Sequence, residues 1–229
     1  ALNRSVDSVN IGNGIYRVKK ASEAPVIDGE ADEACWKTAA WTPISRVWLG
    51  ENPSESDFSG RITMVWKGNV LYMLAEIRDD VLNDAHAGWN DSWWNDDCLE
   101  IFIDEDASGG NHTHNENAYA YHCSTVNGDV VDLDSEGNPV NYRSHIDYTF
   151  KRKGTKTVWE LAITIHDETL SPVSSLSSGK RMGLSVAYCD NDGSPDDGSS
   201  RESFIGTTAI DNPDKNVSWK NADWFGTVE

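Results

Sequence analysis

The chain lacks any apolar run of the roughly 18 to 20 residues that a membrane-spanning helix needs. Basic residues are also scarce, because only 19 lysines and arginines stand against 38 aspartates and glutamates among 229 residues. The formal net charge is therefore −19, and the isoelectric point lies near 4.5. Such a charge repels phosphate backbones and anionic lipid, so nucleic acid and membranes are poor partners. Neutral ligands and divalent cations suit it better.

Cysteine is scarce as well, with four residues at Cys35, Cys98, Cys123 and Cys189. None of them belongs to a C-x-x-C pair, which disfavours a zinc or redox motif of that kind. Free buried thiols and one or two disulfides in an exported protein are both compatible with this content. The spacing of the cysteines does not determine how they would pair.

Motifs of hydrolytic enzymes are missing too. Neither the G-x-S-x-G nucleophile motif nor the H-E-x-x-H zinc motif occurs in the sequence. Glycosidases need only two suitably spaced carboxyl groups, and 38 acidic residues leave that alternative open. The sequence thus favours a binding protein, with a glycan-active hydrolase as one alternative.

Apolar residues alternate with other residues along several short segments, which is the pattern of β-strands. The segments Ile62 to Trp66 and Leu71 to Ile77 flank a turn at Lys67 to Asn69 and predict a hairpin. Leu99 to Asp104 alternates as well, with Glu100 on the face opposite the leucine and isoleucines. Further strands are predicted at Tyr119 to Val126, Tyr148 to Arg152, Val158 to Ile165 and Met182 to Cys189.

Many short strands between turns rich in Gly, Asn and Asp predict an all-β fold, a two-sheet antiparallel β-sandwich of the immunoglobulin-like or jelly-roll-like kind. One short helix is predicted over Asp32 to Ala39, with Asp32 as its N-cap. Residues 1–13 are polar and are expected to form an N-terminal arm. No linker or repeat interrupts residues 14–229, which are expected to form a single domain.

Tryptophan is abundant, and ten residues exceed what one core of this size usually needs. Trp94 and Trp219 lie in polar surroundings, where burial would strand many hydrogen-bonding groups. We expect both to face solvent and to hold a ligand between them, because two parallel indoles match the apolar faces of one pyranose ring. The tryptophans inside apolar patterns are interpreted as core residues, and these are Trp36, Trp66 and Trp159.

A series of motifs runs through the chain in a fixed order, and the most specific of them is Trp94 to Asp104. The others are Val26 to Glu30, Asp32 to Trp36, Val65 to Trp66, Val70 to Met73, Arg78 to Asn83, Asn216 to Trp219 and Trp224 to Gly226. In this order and spacing the chain resembles family 9 carbohydrate-binding modules over residues 16–229. Each motif alone is weak, whereas the ordered set is specific.

The resemblance implies a β-sandwich that binds the ends of sugar chains, carries structural calcium and works outside the cell. Modules of this kind are usually appended to xylanases or other polysaccharide-degrading enzymes. No signal peptide is present, and Ala1 is compatible with a mature N-terminus left by its removal. We therefore expect a secreted protein whose partners are a carbohydrate and a catalytic domain of the same parent protein.

The resemblance also implies a sugar site, with the aromatic clamp at Trp94 and Trp219. It places a sugar-contacting carboxylate at Glu100 and a polar contact at Asn216. An ordinary glutamate on the solvated face of its strand and a turn-forming asparagine are the alternatives for these two residues. A carboxylate that accepts two hydroxyl hydrogen bonds would orient a sugar well.

The sequence departs from the family on the strand after Asp104. Where the family carries Arg and Asn facing the ligand, this chain has Ala120 and His122, and Ala187 stands where Gln is common. We expect His122 to contribute to the sugar site and the hydroxyl contacts to differ from those of the family.

Two acidic loops are candidate calcium sites, since Ca²⁺ takes six to eight oxygen ligands from carboxylates, amides and carbonyls. The candidate ligands are Asp79, Asp80, Asn83, Asp190 and Asp192, with Asp28 to Glu30 as a third possible loop. Solvated acidic turns are the alternative. At least one structural calcium is expected, because it would relieve the repulsion among the acidic loops.

The function predicted from these observations is non-catalytic capture of a sugar ring, at the chain end of a plant-type β-glucan or xylan. Such capture would target an attached or partner glycoside hydrolase to polysaccharide. Related sandwiches hold haem b between a Met or Lys and a His, so an electron-transfer domain is a further alternative, as is a purely structural or adhesive domain. Met64, Met73 and Met182 are interpreted as core filler, and His112 and His114 as solvated loop residues.

Overall fold

Segments of alternating apolar residues form paired β-strands that are spread along the described chain. A computed structural model describes residues 14–84, 86, 92–112, 118–126, 128–167, 169–173, 175–193 and 200–229. Its strands, in chain order, are β1 (Ile15–Tyr16), β2 (Lys19–Lys20), β3 (Thr42–Ile44), β4 (Arg46–Gly50), β5 (Phe58–Lys67), β6 (Val70–Asp79), β7 (Cys98–Asp104), β8 (Tyr119–Ser124), β9 (Val130–Leu133), β10 (Pro139–Asn141), β11 (Ile146–Lys153), β12 (Lys156–Thr164), β13 (Met182–Asp190), β14 (Ser203–Gly206) and β15 (Gly226–Val228).

These strands form two sheets, which confirms the predicted sandwich. Sheet I has the order β1-β15-β13-β7-β8-β9-β10, and β14 and β4 extend it from the other end of β13. Sheet II has the order β11-β12-β6-β5-β2, with β3 also paired to β5. The predicted hairpin is β5 and β6, in which Met64 lies opposite Met73. The predicted arm, residues 1–13, lies outside the described residues.

The main core fills the space between the sheets, where the inner faces of both contribute large buried side chains. Leu99, Ile101 and Ile103 of β7 are buried there, as their alternation predicts. Trp159 and Leu161 of β12 lie opposite them in the same cluster. The three methionines, Met64, Met73 and Met182, are buried members of this core.

The outer face of sheet I is also covered, which the period-two pattern does not predict. A second apolar cluster there combines Phe102 of β7 with Trp48 of β4 and with residues that follow β14, including Val217 and Phe225. The segment after β14 therefore covers the outer face of sheet I, and every residue of β7 is buried.

The prediction of a helix over Asp32 to Ala39 is wrong in its extent. Only Trp36–Thr38 forms a turn of 3-10 helix, and no side chain caps it. The Glu160 carboxylate of β12 accepts hydrogen bonds from the Gly29 amide at 2.7 Å and from the Trp36 indole at 3.1 Å. These tertiary bonds hold the segment flat against the outer face of sheet II and override its local helical tendency.

The first and last described strands lie side by side. β1 pairs in parallel with β15, so that Tyr16 stands next to Val228. Backbone bonds extend the contact from the Val18 amide to the Glu229 carbonyl at 2.8 Å and from the Glu229 amide to the Tyr16 carbonyl at 2.9 Å. Within the described residues, no helix has the length and apolar character to cross a bilayer.

Candidate sugar-binding site

Trp94 and Trp219 are the two exposed tryptophans of the described chain, with 41% and 39% of their surface open to solvent. Trp94 belongs to the 3-10 turn Trp93–Asn95, which directly precedes β7. The Asp96 carboxylate fixes this turn by accepting bonds from the backbone amide and the imidazole of His86. The exposure predicted for both tryptophans is confirmed. Of the predicted core tryptophans, Trp36 and Trp159 are buried, and Trp66 is partly buried against the core.

Glu100 lies beneath this region on the outer face of β7, and only 2% of it is exposed. Burial would raise the pKa of this carboxyl group, but His122 first and then Arg201 outweigh it and hold the pKa below its ordinary value. Glu100 is therefore a buried carboxylate that stays charged, and its interpretation as a solvated surface residue is wrong. The covering segment after β14, which is remote in sequence, accounts for the difference.

His122 lies directly across from Glu100 in the β7–β8 pairing. Its Nε2 atom is 3.0 Å from Glu100 Oε1, and its Nδ1 atom faces the Ala120 carbonyl at 3.0 Å. Both neighbours are acceptors, so the ring donates on both sides when it is protonated. Burial lowers the pKa of His122, but the Glu100 carboxylate more than offsets this and raises it. The structure thus brings His122 and Glu100 into contact, and a protonated His122 forms an ion pair with Glu100.

Arg201, which was not predicted to belong to the site, contacts Glu100 as well. One guanidinium nitrogen lies 3.4 Å from Glu100 Oε1 and 3.1 Å from Cys189 Sγ. The other donates to Asn216 Oδ1 at 3.3 Å. No local motif marks this arginine, because it lies just before β14 and reaches Glu100 only through the pairing of β14 with β13.

Trp94 is connected to one end of this polar row by ring contacts, and Trp219 is close in sequence to the residue at the other end. The Trp93 ring packs edge-on against Trp94 at 4.9 Å and against His122 at 6.1 Å between centroids. At the other end, Asn216 precedes Trp219 by three residues within one set of turns. The floor formed by His122, Glu100, Arg201 and Asn216 therefore runs from one tryptophan toward the other.

The turn that carries Trp219 has a buried support. The His112 imidazole contacts the Ser218 carbonyl through Nε2 at 2.6 Å, and the His112 amide donates to the Lys220 carbonyl at 3.0 Å. His112 is buried against Phe225, and burial lowers its pKa. The prediction that His112 is a solvated loop residue is wrong, because the closing segment packs over it. His114 lies outside the described residues.

The candidate calcium ligands of the two predicted loops meet at one end of the sandwich. Asp79 ends β6 of sheet II and Asp190 ends β13 of sheet I, and together with Asp97 they bring carboxylate oxygens within 4.8 Å of one another. Asp79 also groups in this way with Asp80 and Asp192. The fifth candidate, Asn83, lies alongside, and its backbone amide donates to Asp97.

The chemistry of this carboxylate cluster fits a cation. One oxygen each of Asp79, Asp190 and Asp192 is buried without a hydrogen-bond partner. Burial first, and then the charge of Asp79, raises the pKa of Asp97 to about 9 and that of Asp190 to about 7. Buried acceptors without donors and carboxyl groups that resist ionisation are the pattern that a divalent cation would relieve.

The remaining candidates have local structural partners. The Asp28 carboxylate accepts a bond from the Glu30 amide at 2.9 Å, and Glu30 pairs with Lys151. Neither belongs to a carboxylate group of the kind described above among the described residues. The four cysteines are free thiols, of which Cys35 is partly exposed and the other three are buried.

Known proteins resemble this chain in sequence and in fold. A domain of the xylanase Endo-1,4-beta-xylanase A from Thermotoga maritima is 38% identical over 81 residues, which is 35% of this chain and 7% of that enzyme. A family 9 carbohydrate-binding module from Caldicellulosiruptor kristjanssonii in complex with glucose superimposes with a TM-score of 0.67 at 20% identity, over 94% of each chain. The cellotriose complex from the same organism gives 0.66 at 20% identity, over 93% of this chain and 92% of the other.

The superposition on the two solved structures shows a shared fold and, at 20% identity, nothing more. The similarity to the xylanase concerns a small part of that enzyme. The family model described as "Carbohydrate family 9 binding domain-like" matches residues 27–229, which is most of the chain. The chain belongs to the carbohydrate family 9 binding domain-like family.

Proposed function

We propose that this protein binds a sugar ring between Trp94 and Trp219, above the floor of His122, Glu100, Arg201 and Asn216. The observation that carries the proposal is the unbroken row of contacts from Trp94 through Trp93, His122, Glu100 and Arg201 to Asn216. The row joins one exposed indole, Trp94, to a buried, charged carboxylate, and it ends three residues before the other exposed indole, Trp219. Exposed aromatic rings at both ends of a prearranged polar floor are a typical carbohydrate site.

Each part of this site has a distinct task. The indoles cover the apolar faces of the ring and remove them from water. Glu100 accepts hydrogen bonds from ring hydroxyls, and Arg201 and His122 keep it charged and in place. Asn216 offers its amide beside the second indole. The affinity expected for one small polar ligand is modest, in the micromolar to millimolar range, because its hydroxyl groups give up good hydrogen bonds to water.

The ligand class follows from charge and from the relatives. A net charge of −19 disfavours acidic polysaccharides and suits neutral ones. Two of the similar solved structures hold glucose and cellotriose, and the two curated relatives are xylanases. The proposed ligand is therefore the chain end of a β-glucan or xylan, since a ring enclosed on both faces leaves little room for a continuing chain.

The proposed role is binding without catalysis. Glu100 has a lowered pKa and three donors around one oxygen, so it holds no proton that it could give to a leaving group. The module would act outside the cell by carrying a glycoside hydrolase, attached or associated, to its polysaccharide. The similarity to a small part of a much longer xylanase supports this role.

Calcium is the proposed structural cofactor. Asp79, Asp97, Asp190 and Asp192 would hold it with their carboxylates, with Asp80 and Asn83 at the rim. A bound Ca²⁺ would tie the end of β6 in sheet II to the ends of β7 and β13 in sheet I. It would thereby anchor Asp97, which follows the turn that carries Trp94.

Calorimetric titration with glucose, cellotriose and xylotriose tests the sugar site. Trp94→Ala and Trp219→Ala should each weaken binding at least about tenfold, because each removes one face of the slot. The matched control is Trp41→Ala, which deletes a partly buried indole on sheet II beneath the Arg61 guanidinium. Circular dichroism should show that all three variants stay folded. Retained binding in both clamp variants would contradict the proposal, as would equal loss in the control.

A further inference from the structure

Two of the four cysteines lie opposite each other beneath the sugar site. Cys98 of β7 and Cys189 of β13 are direct partners in the antiparallel register. Opposed residues in such a pair have Cα atoms about 4.5 to 5.5 Å apart, within the range of about 4.4 to 6.8 Å that a disulfide spans. Their sulfur atoms lie within 4.8 Å of each other and of a Glu100 oxygen. The expected spacing of the Cα atoms therefore lies within the range that a disulfide bridges.

The fold keeps the other two cysteines away from this pair. Cys123 points from β8 into the main core on the inner face of sheet I, whereas Cys98 and Cys189 belong to the cluster on the outer face. Cys35 packs beside the outer face of sheet II. Of the possible pairings, only Cys98 with Cys189 has both sulfurs on the same side of the same sheet.

We propose that Cys98 and Cys189 form a cross-strand disulfide when the protein folds in an oxidising environment, and that this bond is coupled to sugar binding through Glu100. In the reduced protein the Cys189 thiol donates to Glu100 Oε1 at 2.9 Å. The disulfide removes that donor and frees a lone pair of the carboxylate. The second part of the proposal rests on the proposed sugar site.

The reaction balances with a small-molecule disulfide such as oxidised glutathione as the oxidant. One cysteine thiolate attacks the glutathione disulfide, which gives a mixed disulfide and one reduced glutathione. The second cysteine thiolate attacks the protein sulfur of the mixed disulfide and releases the second glutathione. Two protein thiols are oxidised, their two protons end on the released thiols, and one S–S bond forms. Because both sulfurs are buried, the exchange takes place before the strands close, and the folded chain then protects the bond.

A soft metal ion on Cys98, Cys189 and Glu100 is the competing interpretation of this cluster. Arg201 argues against it. A guanidinium nitrogen already lies 3.1 Å from Cys189 Sγ and 3.4 Å from Glu100 Oε1, where a cation would need to bind. Because the fixed positive charge of Arg201 would repel a bound cation, the disulfide is the favoured interpretation of this cluster.

Refolding the protein with and without oxidant tests the proposal. Chains refolded in a glutathione redox buffer should show two free thiols in denaturant, and chains refolded in excess reductant should show four. Peptide mapping without reduction should find Cys98 joined to Cys189. Under oxidising conditions Cys98→Ser should show three free thiols, whereas the matched control Cys35→Ser should show one. The oxidised form should melt on the order of 5 to 10 °C higher, because the bridge closes a long loop.

Sugar titration of the two preparations tests the coupling. The oxidised form should bind cellotriose or xylotriose about three- to tenfold more tightly, the effect of about one hydrogen bond. Four thiols after oxidative refolding, a bridge that includes Cys35 or Cys123, or one zinc ion per chain would overturn the disulfide. Equal affinities would overturn the coupling alone. Absence of sugar binding in both forms would count against the sugar site and leave the thiol count valid.

Discussion

With calcium as the proposed structural cofactor, its removal should lower the melting temperature of this protein by an amount that grows with pH. Asp190 sets the scale, because burial and the neighbouring Asp79 raise its pKa from 3.8 to about 7 in the metal-free fold. The difference between these values corresponds to about 4 kcal/mol at 1.36 kcal/mol per pKa unit.

The sign follows from the direction of this shift. A carboxyl group whose pKa is raised by folding stabilises the fold fully below pH 3.8, and that contribution disappears as the pH rises through about 7. The metal-free protein should therefore become less stable between pH 5 and pH 8. Bound Ca²⁺ stabilises the ionised carboxylate, which lowers the pKa and removes the loss.

Thermal melts of decalcified protein, with and without added Ca²⁺, measure this effect. At pH 8 calcium should raise the melting temperature by about 8 to 16 °C, from about 2 to 4 °C per kcal/mol for a chain of this size. At pH 5 the difference should be much smaller. Asp190→Asn should reduce both the calcium effect and the pH slope of the metal-free form. The exposed Asp147→Asn serves as its matched control.

Equal melting temperatures with and without Ca²⁺ at pH 8 would refute the reasoning. So would a calcium effect that Asp190→Asn and Asp147→Asn share equally. A metal-free protein whose stability rises from pH 5 to pH 8 would show that the carboxylate cluster does not dominate the titration.

Two further predictions concern buried titratable groups. Glu100→Gln should weaken sugar binding at least about tenfold in calorimetry and lower the melting temperature, because His122 and Arg201 lose their shared counter-charge. Glu76→Gln, at an exposed side chain, is the control. Unchanged affinity in Glu100→Gln would contradict the role of Glu100. For His145, burial and then His166 lower the pKa from 6.5 to about 4. The contribution of His145 to the free energy of unfolding is therefore fully present above pH 6.5, and about 3 kcal/mol of it is lost as the pH falls toward 4. Urea unfolding at pH 7 and pH 4.5 should show this loss in the native protein and a smaller one in His145→Gln, and equal losses would disprove it.

The sandwich itself was predictable because its strands carry period-two apolar patterns that do not depend on distant contacts. The hairpin of β5 and β6 and the inward face of β7 follow from this pattern alone. The helix expected at Asp32 was not, because the hydrogen bonds that straighten this segment come from Glu160, more than 120 residues away. Local propensity loses to such tertiary contacts.

The sequence predicts those parts of the candidate site in which an apolar side chain lies in a polar stretch of sequence. It does not predict the parts in which the fold brings residues together that are remote in sequence. Trp94 and Trp219 are apolar side chains in polar segments, and the structure leaves both exposed. Arg201 lies in a polar loop like many others, and only the pairing of β14 with β13 brings it to Glu100. Likewise, the carboxylates of Asp79 and Asp190 were expected as separate sites and meet because the ends of β6 and β13 lie together.

The side-by-side arrangement of β1 and β15 bears on the tethering to a catalytic domain that we propose. Val228 pairs with Met182, the first residue of β13. Arg201 lies near the other end of β13, because it shortly precedes Ser203, which pairs with the last residue of that strand, Asp190. Eight residues of strand separate these points, a distance of about 26 Å at about 3.3 Å per residue. Because β1 lies beside β15, Ile15 and Val228 belong to the same edge of sheet I, at the end of β13 remote from Asp190. A catalytic domain tethered there, as proposed, would be attached at the opposite end of β13 from Arg201, which supports the proposed sugar site.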